Sequence, residues 1–224
     1  MLKLLKKNQI VRKQVFHNNS IALGIESYDN VIPDTKSFIQ NIEDHVLNKR
    51  LSWSNTDEHS TNYDGSLRKA RSCQSISLPP YELNKELIIN STTDKTDFIS
   101  LKKTTQLSVH NFLNDFLYKP INVYKEKYDI NQWSDPEGWQ ILKYEEGHYV
   151  ENHYDDGKKR PRTLSMCFYL NEDYEGGEIE FPRLNLKFKP KENQMIVFPS
   201  NYIYNHIVNP VTKGKRYAIV GWWN

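Results

Sequence analysis

Between Trp139 and Trp223 the chain repeats one pattern: a short run of alternating apolar and polar side chains, then a turn. Trp139–Tyr144, Thr163–Leu170, Gly177–Phe181, Leu184–Pro190, Gln194–Phe198 and Arg216–Trp223 all follow it. Successive side chains of a strand leave on opposite faces, so a period of two marks a strand with one face in a core. Glycines, prolines and the Asn171-Glu172-Asp173 triplet separate the runs. Short strands at near-regular spacing predict a β-sandwich or jelly roll. The 14 tyrosines, 9 phenylalanines and 5 tryptophans, concentrated after residue 115, supply the bulk that such a core needs.

The first half reads differently. Ile21–Ile32 predicts a strand. Pro33-Asp34-Thr35-Lys36 then opens a helix to about Leu51, with Phe38, Ile39, Ile42, Val46 and Leu47 on one face. Residues 52–82, rich in Ser, Asn, Asp and Thr and broken by Pro79-Pro80, read as a long polar loop. Leu87–Asn90 is short and fits neither period. Helical spacing returns from about Asp97 to Tyr124, through Phe98, Ile99, Leu101, Leu107, Phe112, Leu113, Phe116 and Leu117. The expectation is an α+β chain. Residues 1–20 form an N-terminal extension and 21–224 one domain. A helical part over 21–130 buttresses one sheet face of a jelly-roll core over 131–224.

Composition excludes some function classes. A net charge of +2 gives no electrostatic footprint for nucleic acid. No run approaches the roughly 18 apolar residues that would span a membrane. The basic start Met1–Asn8 lacks a following apolar stretch, so it reads as a solvated terminus rather than a signal peptide. Two cysteines, Cys73 and Cys167, make no disulfide framework and fit a reducing, cytoplasmic setting. Cys167, in an apolar run, reads as a small buried hydrophobe. Nothing in the pattern fixes an oligomeric state.

The chemistry concentrates in four residues. His153 and Asp155 stand two apart, which on a strand puts both side chains on one face. His206 follows about three strands later, where the chain returns across a sandwich. Two imidazoles and one carboxylate suit an Fe(II) site with open positions for a co-substrate and O2, although Mn, Co, Ni or Zn would also bind. His148 has Val150 rather than a carboxylate two residues on, and Asp156 points to the opposite face. Arg216, ten residues after His206, opens the last strand. A buried guanidinium there can hold a carboxylate through two parallel hydrogen bonds.

These residues sit in an ordered series of short motifs. Tyr144, Gly147, Tyr149 and His153-Tyr154-Asp155 come first, then Phe168-Tyr169-Leu170-Asn171 and Glu175-Gly176-Gly177-Glu178. Phe181-Pro182, Lys189-Pro190, Val197-Phe198, His206 and Lys215-Arg216-Tyr217-Ala218 follow. The series resembles the prolyl 4-hydroxylase family of Fe(II)- and 2-oxoglutarate-dependent dioxygenases, closely over residues 137–224. The resemblance implies a double-stranded β-helix with iron at its mouth, bound by His153, Asp155 and His206. It implies that Arg216 binds the distal carboxylate of 2-oxoglutarate and that Tyr169 and Ser165 help to hold that co-substrate. It places Tyr144 beside the iron and Trp222 on the pocket wall behind it. Collagen-type members usually carry Lys at the position of Arg216, and many members carry Thr at that of Ser165. The implied reaction consumes O2 and 2-oxoglutarate, releases succinate and CO2, hydroxylates a C–H bond and uses ascorbate as accessory reductant. The implied substrate is a proline-containing peptide or protein, which Arg160 and Arg162 can contact through its backbone. A free amino acid, another side chain or a small molecule stays open as target, as does a non-catalytic jelly-roll binding protein. Nucleic-acid demethylation is disfavoured, because the residue six past Arg216 is Trp222 rather than Arg.

Overall fold

Trp222 and Trp223 are neighbours in sequence and face opposite sides of one sheet. They belong to β16 (Arg216–Trp223), all of whose residues are buried. Arg216, Ala218, Val220 and Trp222 face a cavity, while Tyr217, Ile219 and Trp223 join an apolar cluster with the helices. β7 (Pro136–Tyr144), paired with β16, divides the same way. Gln140, Leu142 and Tyr144 face the cavity, and Trp139 and Ile141 face the helices. The period of two in the sequence is therefore the division between site and support.

The structure, a computed structural model, describes residues 17–61, 67–79, 96–130, 136–157 and 161–224. The start Met1–Asn8, Leu87–Asn90 and Arg160 lie outside the described residues, as do the side chains of Phe98, Ile99 and Leu101. Two helices are described, α1 (Thr35–Leu47) and α2 (Thr96–Lys127). Asp34 caps α1 by accepting from the Ser37 amide at 2.9 Å. Phe38 and Ile42 of α1 and Val109, Leu113, Leu117 and Ile121 of α2 share the cluster with Trp139, Phe168, Ile219 and Trp223. Leu47, expected on the inner face of α1, is 81% exposed, since the helix ends there and His45 is buried instead. Among the described residues no helix is long and apolar enough to cross a membrane.

The strands form two large antiparallel sheets. The larger one contains β1 (His17–Ala22), β2 (Ile25–Asp29), β9 (Leu164–Tyr169) and β13 (Gln194–Pro199). With β3 (Ser54–Asn55) and β6 (Gln74–Leu78) its order is β1-β2-β13-β9-β16-β7-β6-β3. The smaller one contains β4 (Glu58–Thr61), β5 (Leu67–Ser72), β8 (Tyr149–His153), β11 (Ile179–Phe181), β12 (Leu186–Phe188) and β14 (His206–Val208). Its order is β12-β11-β14-β8-β5-β4. A two-stranded ribbon, β10 (Glu175–Gly176) with β15 (Val211–Lys213), completes the set.

Three expectations are corrected. Ile21–Ile32 is not one strand: Leu23 and Gly24 turn it into the β1–β2 hairpin, and Gly24 adopts φ +74°, which glycine takes at no steric cost. His17–Ser20 of the expected extension therefore lie in the sheet. Residues 52–82 are not one polar loop, since β3, β4, β5 and β6 fall within them. β6 pairs with β7 from Gln74↔Lys143 to Leu78↔Trp139, and β5 pairs with β8. Partners supplied by the later chain make strands of sequences too polar to announce themselves. Among the described residues, the helical part expected over 21–130 is accordingly a mixture of two helices and six strands.

Leu117 is fully buried between α2 and the larger sheet. Leu117→Ala is expected to cost about 2–5 kcal/mol of stability, read as a lower denaturant midpoint at unchanged slope. Burial also lowers the pKa of His45, aided by Arg50, and of His110 below the ordinary 6.5. The folded state resists a proton that the unfolded chain accepts. Their contribution is thus complete above about pH 6.5 and fades as pH falls through the folded-state values. Denaturant midpoints should decline below about pH 6.5, and decline less in His110→Gln.

Candidate active site

Strand pairing brings the two histidines together. His153 ends β8 and His206 begins β14, and the two are register partners in the smaller sheet. Their ring centroids lie 4.3 Å apart. Each ring turns its Nδ1 to a backbone carbonyl, His153 to Glu151 at 2.8 Å and His206 to Tyr204 at 3.1 Å. A donating Nδ1–H fixes the tautomer and leaves the Nε2 lone pair free for a metal. Both Nε2 atoms face Asp155, at 3.6 Å from Oδ1 for His153 and 3.9 Å from Oδ2 for His206.

Asp155 does not share a strand with His153, as the spacing predicts; β8 stops at His153 and Asp155 sits in the bend beyond. The Asp155 and Asp156 amides both donate to the Ser200 carbonyl, at 3.2 and 3.0 Å, and this ties the bend to the end of β13. Ligand atoms of His153, Asp155 and His206 all lie within 4.8 Å of one another, which an ion can bridge. Burial pushes the His206 pKa down to about 4, helped by His153, so the ring is neutral and able to ligate. Burial works to raise the Asp155 pKa. His206, His153 and the Ser165 hydroxyl outweigh it and hold the carboxyl below its usual range. Two neutral imidazoles and an ionised carboxylate fit a divalent first-row metal.

Ser165 lies beside the metal cluster. Its hydroxyl donates to Asp155 Oδ2 at 2.6 Å and lies 2.8 Å from the Ser200 hydroxyl. His148 stays outside the cluster, with its Nδ1 accepting from the Glu145 amide at 3.1 Å. Asp156 is also outside it and accepts from the Arg162 amide at 3.1 Å.

Arg216 enters the same space from the larger sheet. A cavity of about 710 Å³ between the sheets is lined by His153, Asp155, His206, Arg216, Tyr144 and Trp222 among others. Arg216 is only 2% exposed, and its Nε and Nη1 have no hydrogen-bond partner. Its guanidinium carbon stands 4.6 Å from the Tyr144 ring centroid and 5.1 Å from that of Tyr169. The rings support the cation without meeting its hydrogen-bonding needs. Leaving a buried charge uncompensated costs several kcal/mol, so the pocket fits an anion. Lys215, next in sequence, instead faces Glu145 at the surface, at 3.8 Å.

Three cavity features escape the sequence reading. Cys167 packs against two apolar clusters, as a small hydrophobe would, but is only partly buried and also lines the cavity; burial lifts its thiol pKa to about 12. Arg71 reaches the cavity from β5, inside the supposed loop. Arg162 lies 3.9 Å above the Trp222 ring and donates to both carboxylate oxygens of Glu137, at 2.8 and 2.6 Å. That geometry fixes Arg162 at the cavity wall rather than leaving it as a loose loop charge.

Residues 139–224 match the family model of the 2OG-Fe(II) oxygenase superfamily. A PKHD-type hydroxylase of Idiomarina loihiensis is 35% identical over 88 residues, 37% of this chain and 39% of that protein. The chain thus spans well under two thirds of that relative's length. A viral collagen prolyl hydroxylase from Paramecium bursaria Chlorella virus-1 superposes with a TM-score of 0.52 at 21% identity, over 89% of this chain and 95% of the other. A prolyl hydroxylase from Trichoplax adhaerens, solved with a peptide fragment of the hypoxia inducible factor oxygen degradation domain, gives 0.57 at 15%, over 89% and 83%. At these identities the structures establish a shared jelly-roll fold.

If Ser165 orients the metal-binding carboxylate, Ser165→Ala should weaken Fe(II) or Mn(II) affinity about 10–100-fold by titration calorimetry. An unchanged affinity would show that the Asp155 backbone contacts alone suffice.

Proposed function

We propose, from the premise that residues 139–224 belong to the 2OG-Fe(II) oxygenase superfamily, that this chain is a 2-oxoglutarate-dependent dioxygenase that hydroxylates prolyl residues of a peptide or protein. The observation that carries the reading is Arg216: a buried cation with two unpaired nitrogens, in one cavity with the His153, Asp155 and His206 cluster. A keto diacid is the ligand that answers both ends of that cavity, chelating at the metal and pairing with the guanidinium.

His153, Asp155 and His206 hold the ferrous ion. Arg216 takes the distal carboxylate, with the Tyr144 and Tyr169 rings keeping the guanidinium in place. Trp222 walls the metal pocket, and Ser165 orients Asp155. Iron and 2-oxoglutarate, when bound, supply the oxidising power that inserts one atom of O2 into a C–H bond and yield succinate and CO2. The protein's own contribution is to bind, orient and exclude bulk water between two sheets. α1 and α2 buttress the larger sheet and so stiffen β7 and β16, which carry Tyr144, Arg216 and Trp222. Ascorbate serves as accessory reductant, and two free cysteines suit a cytoplasmic setting.

A polymeric substrate is favoured by the surface beside the metal cluster. Six large apolar side chains are exposed among the described residues, and four of them, Leu23, Tyr154, Tyr202 and Ile203, lie on segments tied to the site. Tyr154 stands between two ligands, and the Asp155 bend is hydrogen-bonded to Ser200 just before Tyr202. The Tyr204 hydroxyl donates to the Leu23 carbonyl at 3.0 Å. Exposed aromatic surface of this kind receives extended proline-bearing chains. The Trichoplax prolyl hydroxylase was solved with a peptide fragment of the hypoxia inducible factor oxygen degradation domain.

Incubation with Fe(II), 2-oxoglutarate and proline-rich peptides should add one oxygen to a prolyl residue, seen by mass spectrometry. Arg216→Gln should lower kcat/KM for 2-oxoglutarate by about 100-fold or more, as expected for a removed partner of a buried charge pair. Turnover of a free amino acid with none of any peptide would overturn the substrate assignment.

A further inference from the structure

The Arg162 side chain is committed inside the protein. Its Nε and Nη2 donate to the two carboxylate oxygens of Glu137, its guanidinium carbon stands 3.9 Å from the Trp222 ring centroid, and the side chain is 12% exposed. A two-pronged ion pair and a stacked ring fix the plane of the guanidinium as well as its place. Glu137 reaches it through a bulge. Gly221 pairs with Trp139 and Trp223 with Pro136, so Glu137 and Gly138 together oppose Trp222 alone. Gly138 takes φ +92°, a conformation that suits glycine. Strict alternation would send Glu137 toward the helices with Trp139; bulges re-aim side chains beside active sites, and this one turns Glu137 to Arg162.

Two routes lead from Arg162 to the carboxylate of the metal cluster. The first runs through side chains. Trp222 is the register partner of Ser165, whose hydroxyl donates to Asp155 Oδ2, and both Trp222 and Asp155 line the cavity. Burial works to raise the Asp155 pKa, and the Trp222 indole joins the two imidazoles and Ser165 in lowering it. The second runs through the main chain. The Arg162 amide donates to Asp156 Oδ1. The Thr163 amide donates to the Trp223 carbonyl at 2.7 Å, and the Thr163 carbonyl accepts from the Ser200 amide at 3.0 Å. The Ser200 carbonyl in turn takes the Asp155 and Asp156 amides. The bend that carries Asp155 is therefore closed into a ring at Arg162 and Thr163.

We infer that Arg162, fixed by Glu137, is a positioning residue for the metal centre: it holds the Trp222 indole beside the Asp155 carboxylate and so sets metal affinity, rather than contacting substrate. The inference rests on the reading of His153, Asp155 and His206 as metal ligands. Groups that orient a ligating carboxylate govern affinity nearly as strongly as the ligands do. Ser165 orients Asp155 from β9 and Trp222 from β16, but an indole at a cavity wall keeps its angle only if something lies flat on it. The guanidinium does so, and Glu137 keeps the guanidinium there. Lysine would supply the charge without the fork or the flat face.

The test measures metal binding without turnover. Metal-free protein is titrated with Mn(II), followed by calorimetry and by loss of the paramagnetic resonance signal of the free ion. Arg162→Gln and Glu137→Gln should each weaken binding about 10-fold or more, and the double variant should be within about 2-fold of either, since both changes open one clamp. Arg162→Lys should not restore affinity. Trp222→Phe, which leaves the ion pair intact and removes the indole N–H, should weaken binding to a similar extent. Arg162→Gln that binds Mn(II) like the parent, yet needs about 10-fold more proline-rich peptide for half-maximal turnover, would overturn the inference and make Arg162 a substrate contact. Arg162→Lys with parental affinity would also overturn it, because charge alone would then suffice. Parent protein that binds no Mn(II) would overturn the metal reading itself.

Discussion

One sheet has to satisfy two demands that a single face could not. β16 and β7 present bulky apolar groups to the helices and a cation, two aromatics and small residues to the cavity. A slip of one residue in their register would exchange the two sets and send Arg216 into the apolar cluster. The pairing Arg216↔Tyr144, Ala218↔Leu142, Val220↔Gln140 prevents this, because each pair places like with like on each face. The anion anchor and the wall residues Tyr144 and Trp222 inherit their positions from that register. The smaller sheet adds its own constraint by setting His206 opposite His153.

The electrostatics follow from burial. The cavity holds an ionised carboxylate and a guanidinium, each removed from water, and neither neutralises the other directly. Asp155 is served by the imidazoles and Ser165, while Arg216 lies between aromatic faces with its Nε and Nη1 unpartnered. Such a polarised cleft is costly when empty and favourable when a ligand with matched charges fills it, which is the form that preorganisation takes.

Much of this was legible in the sequence, for a physical reason. Strands β7, β9, β13 and β16 alternate strongly because they are covered on one side by helices and on the other by a packed cavity wall. The His-x-Asp spacing, His206 and Arg216 were legible because the chemistry needs those residue types at recurrent intervals. β3 to β6 were not, because Ser, Gln, Arg and Lys carry little intrinsic signal and pairing with β7 and β8 decides their state. Cys167 packs as the small hydrophobe its apolar neighbours suggested, and its second role as a cavity-lining residue needed the structure. That the Ser165 hydroxyl donates to Asp155 was not legible, since spacing cannot say which acceptor a hydroxyl will find.

The hairpin at the start of the described chain has a role that its distance in sequence conceals. Tyr124 of α2 donates to the Gly24 carbonyl at 2.9 Å, and Tyr204 donates to that of Leu23. The carbonyl of Tyr204 in turn receives the Nδ1 proton of His206. A helix, a two-residue turn and a ligand thus form one tethered line that begins more than a hundred residues before the oxygenase-matched region ends. A fragment trimmed to residues 139–224 would retain every coordinating atom, yet Tyr204, whose carbonyl holds the His206 imidazole, would have lost its tie to the hairpin.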